Sequence, residues 1–249
     1  MKEDKEEKVS LRQTRFKDAD WFLIGPQDII VGGVGGIGSW ASMLLARIGH
    51  TLTLFDDDTI DASNMGGQLY RTNQIGQNKA SAMKQTIVDF CEMYPNVLGR
   101  YTEDSPTSNI VFSCFDNMAA RKLMFEAWAS NEDRELFVDG RMLLETGMVY
   151  VVQKGEEDRY RAELFEDADI EEVACSLKAT SHCGAFIASL MVSGLNNYLA
   201  NKHMGIEARI VQFRTDFELP LLNVTEVTSQ VEEVATVEEE SKIEENVIA

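Results

Sequence analysis

Apolar positions along the chain fall in short blocks, and their period changes from block to block. Residues 28–31 (DIIV), apolar after the first position, pass directly into GGVGGIG, which predicts a buried strand ending in a tight loop. Over 36–48 the apolar positions Ile37, Met43, Leu44, Leu45 and Ile48 return at helical spacing, with Gly49 as a C-terminal stop. Residues 51–55 (TLTLF) are β-branched and apolar, a second strand. A polar connection from 56 to 74 leads to a helix over about 76–91. Residues 109–115 (NIVFSCF) predict a third buried strand, followed by a helix through Arg121 and Trp128. Residues 136–138 and 148–153 predict further strands.

The second half is less regular. Residues 155–175 are charged and predict a loop or crossover, 185–202 a strongly apolar helix, and 207–214 a final strand, antiparallel at an edge. The first twenty residues are polar, with a short helix through 11–16 leading to Trp21. Strands alternating with helices in this way predict an α/β fold. Its sheet is doubly wound, mostly parallel and Rossmann-like, with an antiparallel extension in the second half. The expected organisation is an N-terminal extension (1–20), one nucleotide-binding domain (21–222) and an acidic, disordered tail (223–249).

Composition narrows the function classes. With 249 residues, 44% of them hydrophobic, the chain can bury one sizeable core. A formal charge of −19 argues against a nucleic-acid partner, which needs a surplus of Lys and Arg. From Thr225 onward there are eight Glu against one Lys, without aromatics or glycine, which reads as a solvated tail. No run of eighteen apolar residues is present, so no membrane span is expected. The charged start MKEDKEEKVS does not read as a secretory signal. Cysteines 91, 114, 175 and 183 lack C-x-x-C spacing, which fits a reducing, cytoplasmic setting without structural zinc.

The chemistry concentrates beyond the predicted strands. Gly33, Gly35, Gly36 and Gly38 lie in a strand–loop–helix context, where glycines let a backbone approach a phosphate at a helix N-terminus. Asp56, eighteen residues after Gly38 and at the end of the next strand, is placed to hold ribose hydroxyls. These features alone do not choose between a dinucleotide and ATP. The polar set that follows, Asp58, Asn64, Gln68, Arg71 and Lys79, favours ATP over an NAD-dependent oxidoreductase, which would leave it unexplained. Lys79 falls in the first turn of a helix, where the dipole disfavours a cation unless an anion is near. Asp116, one residue past the third strand, is placed either to hold Mg2+ against phosphate oxygens or to cap a helix, with Asn117 beside it. Arg121 is placed to pair with a phosphate or with Asp116.

Taken together, the segments VGGVGGIGSWASMLLARIGHTLTLFDDD, IDASNMGGQ, IGQNKA and CFDNMAAR resemble the ThiF/MoeB/ubiquitin-activating enzyme family, with DGRMLLETGMVYVV a weaker match. The resemblance implies adenylation of a C-terminal carboxylate, typically the Gly-Gly end of a ubiquitin-like or sulfur-carrier protein, using ATP and Mg2+ in a homodimer. It implies that the glycines cradle the phosphates, Asp56 and Asp58 hold the ribose region, Asn64 and Lys79 contact phosphates, and Asp116 binds Mg2+. One departure is Gly67, where the family carries an arginine; Arg71, Arg12 and Arg15 are candidate replacements. That departure is the main support for a third reading, a non-catalytic adaptor. Cys175, with His182 and Lys178 nearby in sequence, reads either as a thioester- or persulfide-forming nucleophile or as a small buried hydrophobe. His50 and His203 read as surface residues near helix ends.

Overall fold

The computed structural model describes residues 13–165, 180–219 and 223–226. Eight strands build one mixed sheet in the order β3-β2-β1-β4-β5-β6-β7-β8. The parallel part is β1 (Asp28–Gly32), β2 (Thr51–Phe55), β3 (Asn96–Leu98), β4 (Ile110–Ser113) and β5 (Leu136–Leu143). The antiparallel part adds β6 (Thr146–Gln153), β7 (Arg214–Glu218) and β8 (Asn223–Glu226). From β1 the chain builds outward through β2 to β3, then returns to place β4 on the other side of β1. That reversal opens a crevice between β1 and β4 at the carboxyl ends of the strands, where ligands of such sheets bind.

Strand residues are apolar on both faces because both faces are covered. Ile29, Val31, Ile110, Phe112, Leu136 and Val138 enter one core with α2 (Gly38–Ile48), α3 (Lys79–Cys91) and α6 (Ser181–Met204). Their neighbours Ile30, Val111 and Phe137 enter the other, with α4 (Met118–Ala129) and α5 (Glu157–Arg161). Each fully buried side chain of this size stabilises the fold by about 1.5–3 kcal/mol. Helix ends follow local chemistry. Gly49 closes α2 in the left-handed conformation, Asn78 caps α3 through Ser81 N–H, and Asn117 caps α4 through Ala120 N–H. The remaining helix, α1, spans Asp20–Leu23. α6 is long and apolar enough to cross a membrane by composition, and half of that stretch is buried in the core.

Several expectations are revised. The final strand is Arg214–Glu218 rather than 207–214. Upstream, the Asn201 side chain both donates to Arg209 O and accepts from Arg209 N–H, and Asn197 donates to Ile210 O, so α6 satisfies the backbone a ladder would use. β3 had no sequence signal, being three residues long and mostly exposed. β5 and β6 form one long hairpin around a tip at Leu144. Residues 223–226, expected in the tail, pair with β7. Residues 13–18 are turns and a single 3-10 residue, and 11–12 lie outside the described residues. His50 is buried, not on the surface: its Nδ1 accepts the Gln27 N–H at 3.1 Å, and burial lowers its pKa to about 4. His203 is exposed.

Candidate functional site

The crevice at the β1–β4 reversal is a cleft of about 430 Å³. That is within the range of small-molecule sites. Its floor is the glycine loop. Gly33 holds φ +79°, and a Cβ at Gly38 would fall 1.8 Å from Gly33 O, so the turn is too tight for any side chain there. At Gly35 the opposite holds: a Cβ would meet only Gln68 Nε2, at 3.9 Å, leaving open space above the loop. A Cβ at Gly184 would lie 2.3 Å from Gly36 O, so the start of α6 backs directly onto the loop.

Asp56 ties the second strand to this loop. Its Oδ2 accepts Val34 N–H at 2.8 Å and its Oδ1 accepts Asp58 N–H at 2.9 Å. Burial raises its pKa, against those two hydrogen bonds. Lys79, at the first position of α3, is buried, and its Nζ lies 2.8 Å from Asp58 Oδ2. Tyr70 donates its hydroxyl to Val34 O at 2.6 Å and so straps the connection after β2 onto the glycine loop. Burial, reinforced by Asp56 and Asp58, pushes that phenol well above its ordinary pKa, so it stays a donor. Asp116 and Asn117 border the cleft from the end of β4, and Phe55, Tyr101, Phe115 and Leu123 give it an apolar wall.

The cleft therefore gathers Gly33, Gly35, Gly36, Asp56, Asp58, Gln68, Lys79, Asp116 and Asn117 from five separate stretches of sequence. Gly38 sits behind the loop. Three candidates point elsewhere. Asn64 is spent on a capping box with Asp61, whose own carboxylate accepts from Ser63. Arg71 pairs with Asp89 at 3.1 Å, away from the cleft. Arg121 turns inward, to buried Asp139 and the Phe115 carbonyl, and pairs with neither Asp116 nor the open cleft. Arg15 is exposed and does not border the cleft. Cys175, Lys178 and Arg12 lie outside the described residues. Cys91, Cys114 and Cys183 are buried thiols, and burial pushes Cys183 up to about 11 and Cys114 higher still, which makes thiolate chemistry unfavourable there.

Sequence reasoning missed Arg100, Tyr101 and Asp57. Arg100 borders the cleft and donates from Nε to Asp57 Oδ2 at 3.0 Å. The only signal for it was position after a strand, and β3 itself was illegible. Among the described residues, Lys79 and Arg100 are the cationic side chains lining the cleft.

Fold and cleft define a doubly wound α/β protein with a glycine-loop site at its switch point. The family model described as "ThiF family" matches residues 12–242, and the chain belongs to that family. It is 30% identical over 139 residues to ubiquitin-like modifier-activating enzyme 5 of Caenorhabditis briggsae, covering 48% of this chain and 32% of the relative. It is 31% identical over 114 residues to sulfur carrier protein ThiS adenylyltransferase of Escherichia coli (strain K12), covering 42% and 45%. The chain thus matches a third to a half of the length of these curated relatives. Among solved structures, PaaA superposes with a TM-score of 0.61 at 20% identity, over 87% of this chain and 65% of that one. E. coli MccB crystallised with ATP superposes at 0.60 and 14% identity, over 88% and 67%. At these identities the likeness shows the fold.

Proposed function

We propose that this chain adenylates the C-terminal carboxylate of a ubiquitin-like or sulfur-carrier protein, or of a peptide, with ATP as AMP donor. The observation that carries the reading is the convergence of the glycine loop, Asp56, Lys79 and Asp116 on one cleft. Relatives named for activating a ubiquitin-like modifier and for adenylating ThiS support the substrate class, and the MccB structures solved with MccA, several in number, are the reason the alternative is kept.

The residues fit a nucleotide. Space opens over Gly35, and Gln68 Oε1, also at the cleft, is buried without a hydrogen-bond partner. Asp56, already fixed by two backbone donors, retains lone pairs for ribose hydroxyls. Phe55, Tyr101 and Phe115 offer the base an aromatic wall, with Tyr101 4.9 Å from Phe55 ring to ring. Lys79 exchanges its contact with Asp58 for a phosphate. In the reaction a carboxylate oxygen bonds the α-phosphorus, the bond to the β-phosphate bridge breaks, and pyrophosphate leaves. Asp116 would hold Mg2+, which neutralises charge on the phosphate oxygens. Catalysis by this chain is then positioning and charge neutralisation. A homodimer and a cytoplasmic setting belong to the same reading.

The test is ATP–pyrophosphate exchange with candidate carrier proteins ending in glycine, comparing wild type with Asp116→Ala. Carrier-dependent exchange that drops by roughly 100-fold or more in the variant is expected, by analogy with other phosphate-transfer groups. Equal exchange in both would remove Asp116 from its role. Binding of such a protein without any exchange would favour the adaptor, a reading that Gly67 keeps in view.

A further inference from the structure

Beneath the cleft, one buried carboxylate gathers three donors. Asp139, on β5, is fully buried. Its Oδ1 faces Arg121 Nη1, while its Oδ2 accepts from Arg141 Nε at 2.8 Å and from the Tyr160 hydroxyl at 2.9 Å. Removing each ion from water is costly, and apolar residues of similar volume commonly serve a core as well. Packing alone gives no reason for an arginine at position 121.

The other end of that arginine gives one. Arg121 Nη2 donates to the Phe115 carbonyl, the last peptide oxygen before Asp116. The Phe115 ring is held in turn by the glycine loop: a Cβ at Gly32 would meet its Cε2 at 2.5 Å, and at Gly33 its Cδ1 at 3.3 Å. On the far side of Asp116, the Asn117 side chain accepts Ala120 N–H at 2.8 Å and fixes the first turn of α4. Asp116 is thus strung between two anchored points at the edge of the cleft.

We infer that Arg121, oriented by Asp139, is a positioning residue: by holding the Phe115 carbonyl it sets the direction in which Asp116 presents its carboxylate to the cleft. The planar guanidinium suits this task because one rigid fork holds a carboxylate and a carbonyl in a fixed relative direction, which the rotatable donors of an ammonium do not. The inference rests on the reading above only in so far as Asp116 binds Mg2+.

The test uses the full chain with Arg121→Met, in which Asp139 keeps Arg141 and Tyr160 as partners, and Arg121→Lys, which keeps the charge but not the fork. Two measurements are made on each. The first is the 13C resonance of the Asp116 carboxyl in the ligand-free protein, assigned by its loss in Asp116→Asn. The second is the gain in ATP affinity on adding Mg2+, with AMP affinity as the control. In folded Arg121→Met the resonance should move or broaden. The Mg2+-dependent gain should fall roughly 10- to 100-fold, the usual effect of removing a group that orients a metal ligand, with AMP binding unchanged. An unmoved resonance together with an intact Mg2+ gain overturns the inference. A moved resonance in a protein whose Mg2+ gain is the same in wild type and Asp116→Asn upholds the positioning and discards Mg2+ binding by Asp116. Should Arg121→Met not fold, Arg121→Lys is judged by the same two outcomes.

Discussion

Lys79 Nζ lies 2.8 Å from Asp58 Oδ2, with the lysine side chain 10% exposed and the aspartate 64% exposed. The cation at the N-terminus of α3 is thereby held by a carboxylate that faces water at the rim of the cleft. A pair with one partner in solvent contributes little to stability, about 0–1 kcal/mol. Its value lies in keeping an ammonium near the glycine loop against the helix dipole.

Replacing Lys79 by Met should therefore separate stability from binding. Unfolding free energy is expected to change by about 1 kcal/mol or less. ATP affinity is expected to fall roughly 10- to 100-fold, the size of a lost charge-assisted hydrogen bond. Asp58→Asn, which unties the ammonium from the rim of the cleft, should weaken ATP binding less than Lys79→Met does. Calorimetric titration checks both, and undiminished affinity in Lys79→Met would take the lysine out of the site.

Two neighbouring glycines should respond in opposite ways. Gly38→Ala drives a methyl into Gly33 O, a backbone atom that has little room to move, and should destabilise by about 3 kcal/mol or more. Gly35→Ala places its methyl in the open cleft, 3.9 Å from Gln68 Nε2, and should melt near wild type while losing nucleotide binding. Thermal unfolding paired with nucleotide titration distinguishes them. A Gly35→Ala protein that binds ATP normally would mean that no phosphate approaches this loop.

Arg71 offers a check of the opposite kind. Its pair with Asp89 is half-exposed on both sides, so Arg71→Ala should cost about 1 kcal/mol or less. Pyrophosphate exchange should stay near wild type. A loss of several powers of ten, as arginine fingers show, would instead mean that Arg71 serves a second copy's triphosphate.

His50 sets a pH dependence. Its folded pKa of about 4 lies below the unfolded value of 6.5, so between these limits the unfolded chain binds the extra proton. Stability from this group is complete above about pH 6.5 and is lost as pH falls toward 4, by about 1.4 kcal/mol per unit. His50→Asn can keep an acceptor for Gln27 N–H without a titrating ring. It should show a shallower fall in chemical-denaturation stability between pH 6.5 and 4, and parallel profiles would contradict the buried neutral imidazole.

How far the sequence could be read varies with the range of the interaction. The glycine loop, strand β2 and the stop at Gly49 are local devices, and each was legible because its cause lies within a few residues, whereas the cap read at Asp116 falls instead to its neighbour Asn117. His50 was misread because its burial comes from elements remote in sequence, with Gln27 supplying the hydrogen bond. The strand expected at 207–214 was misread for a similar reason, since α6 side chains capture that backbone before a ladder can.

The sequence by itself determined a doubly wound α/β chain of the ThiF family, because hydrophobic period, turn glycines and ordered polar blocks are written along the chain. It also named the residue types of the cleft. Tertiary structure alone decided which of them meet there. Asn64 and Arg71 find nearer partners, Arg121 is drawn inward by Asp139, and Arg100 arrives just past a strand too short to read. Charged side chains carry long, flexible stems, so their destination depends on the nearest counter-charge in space rather than on spacing in sequence.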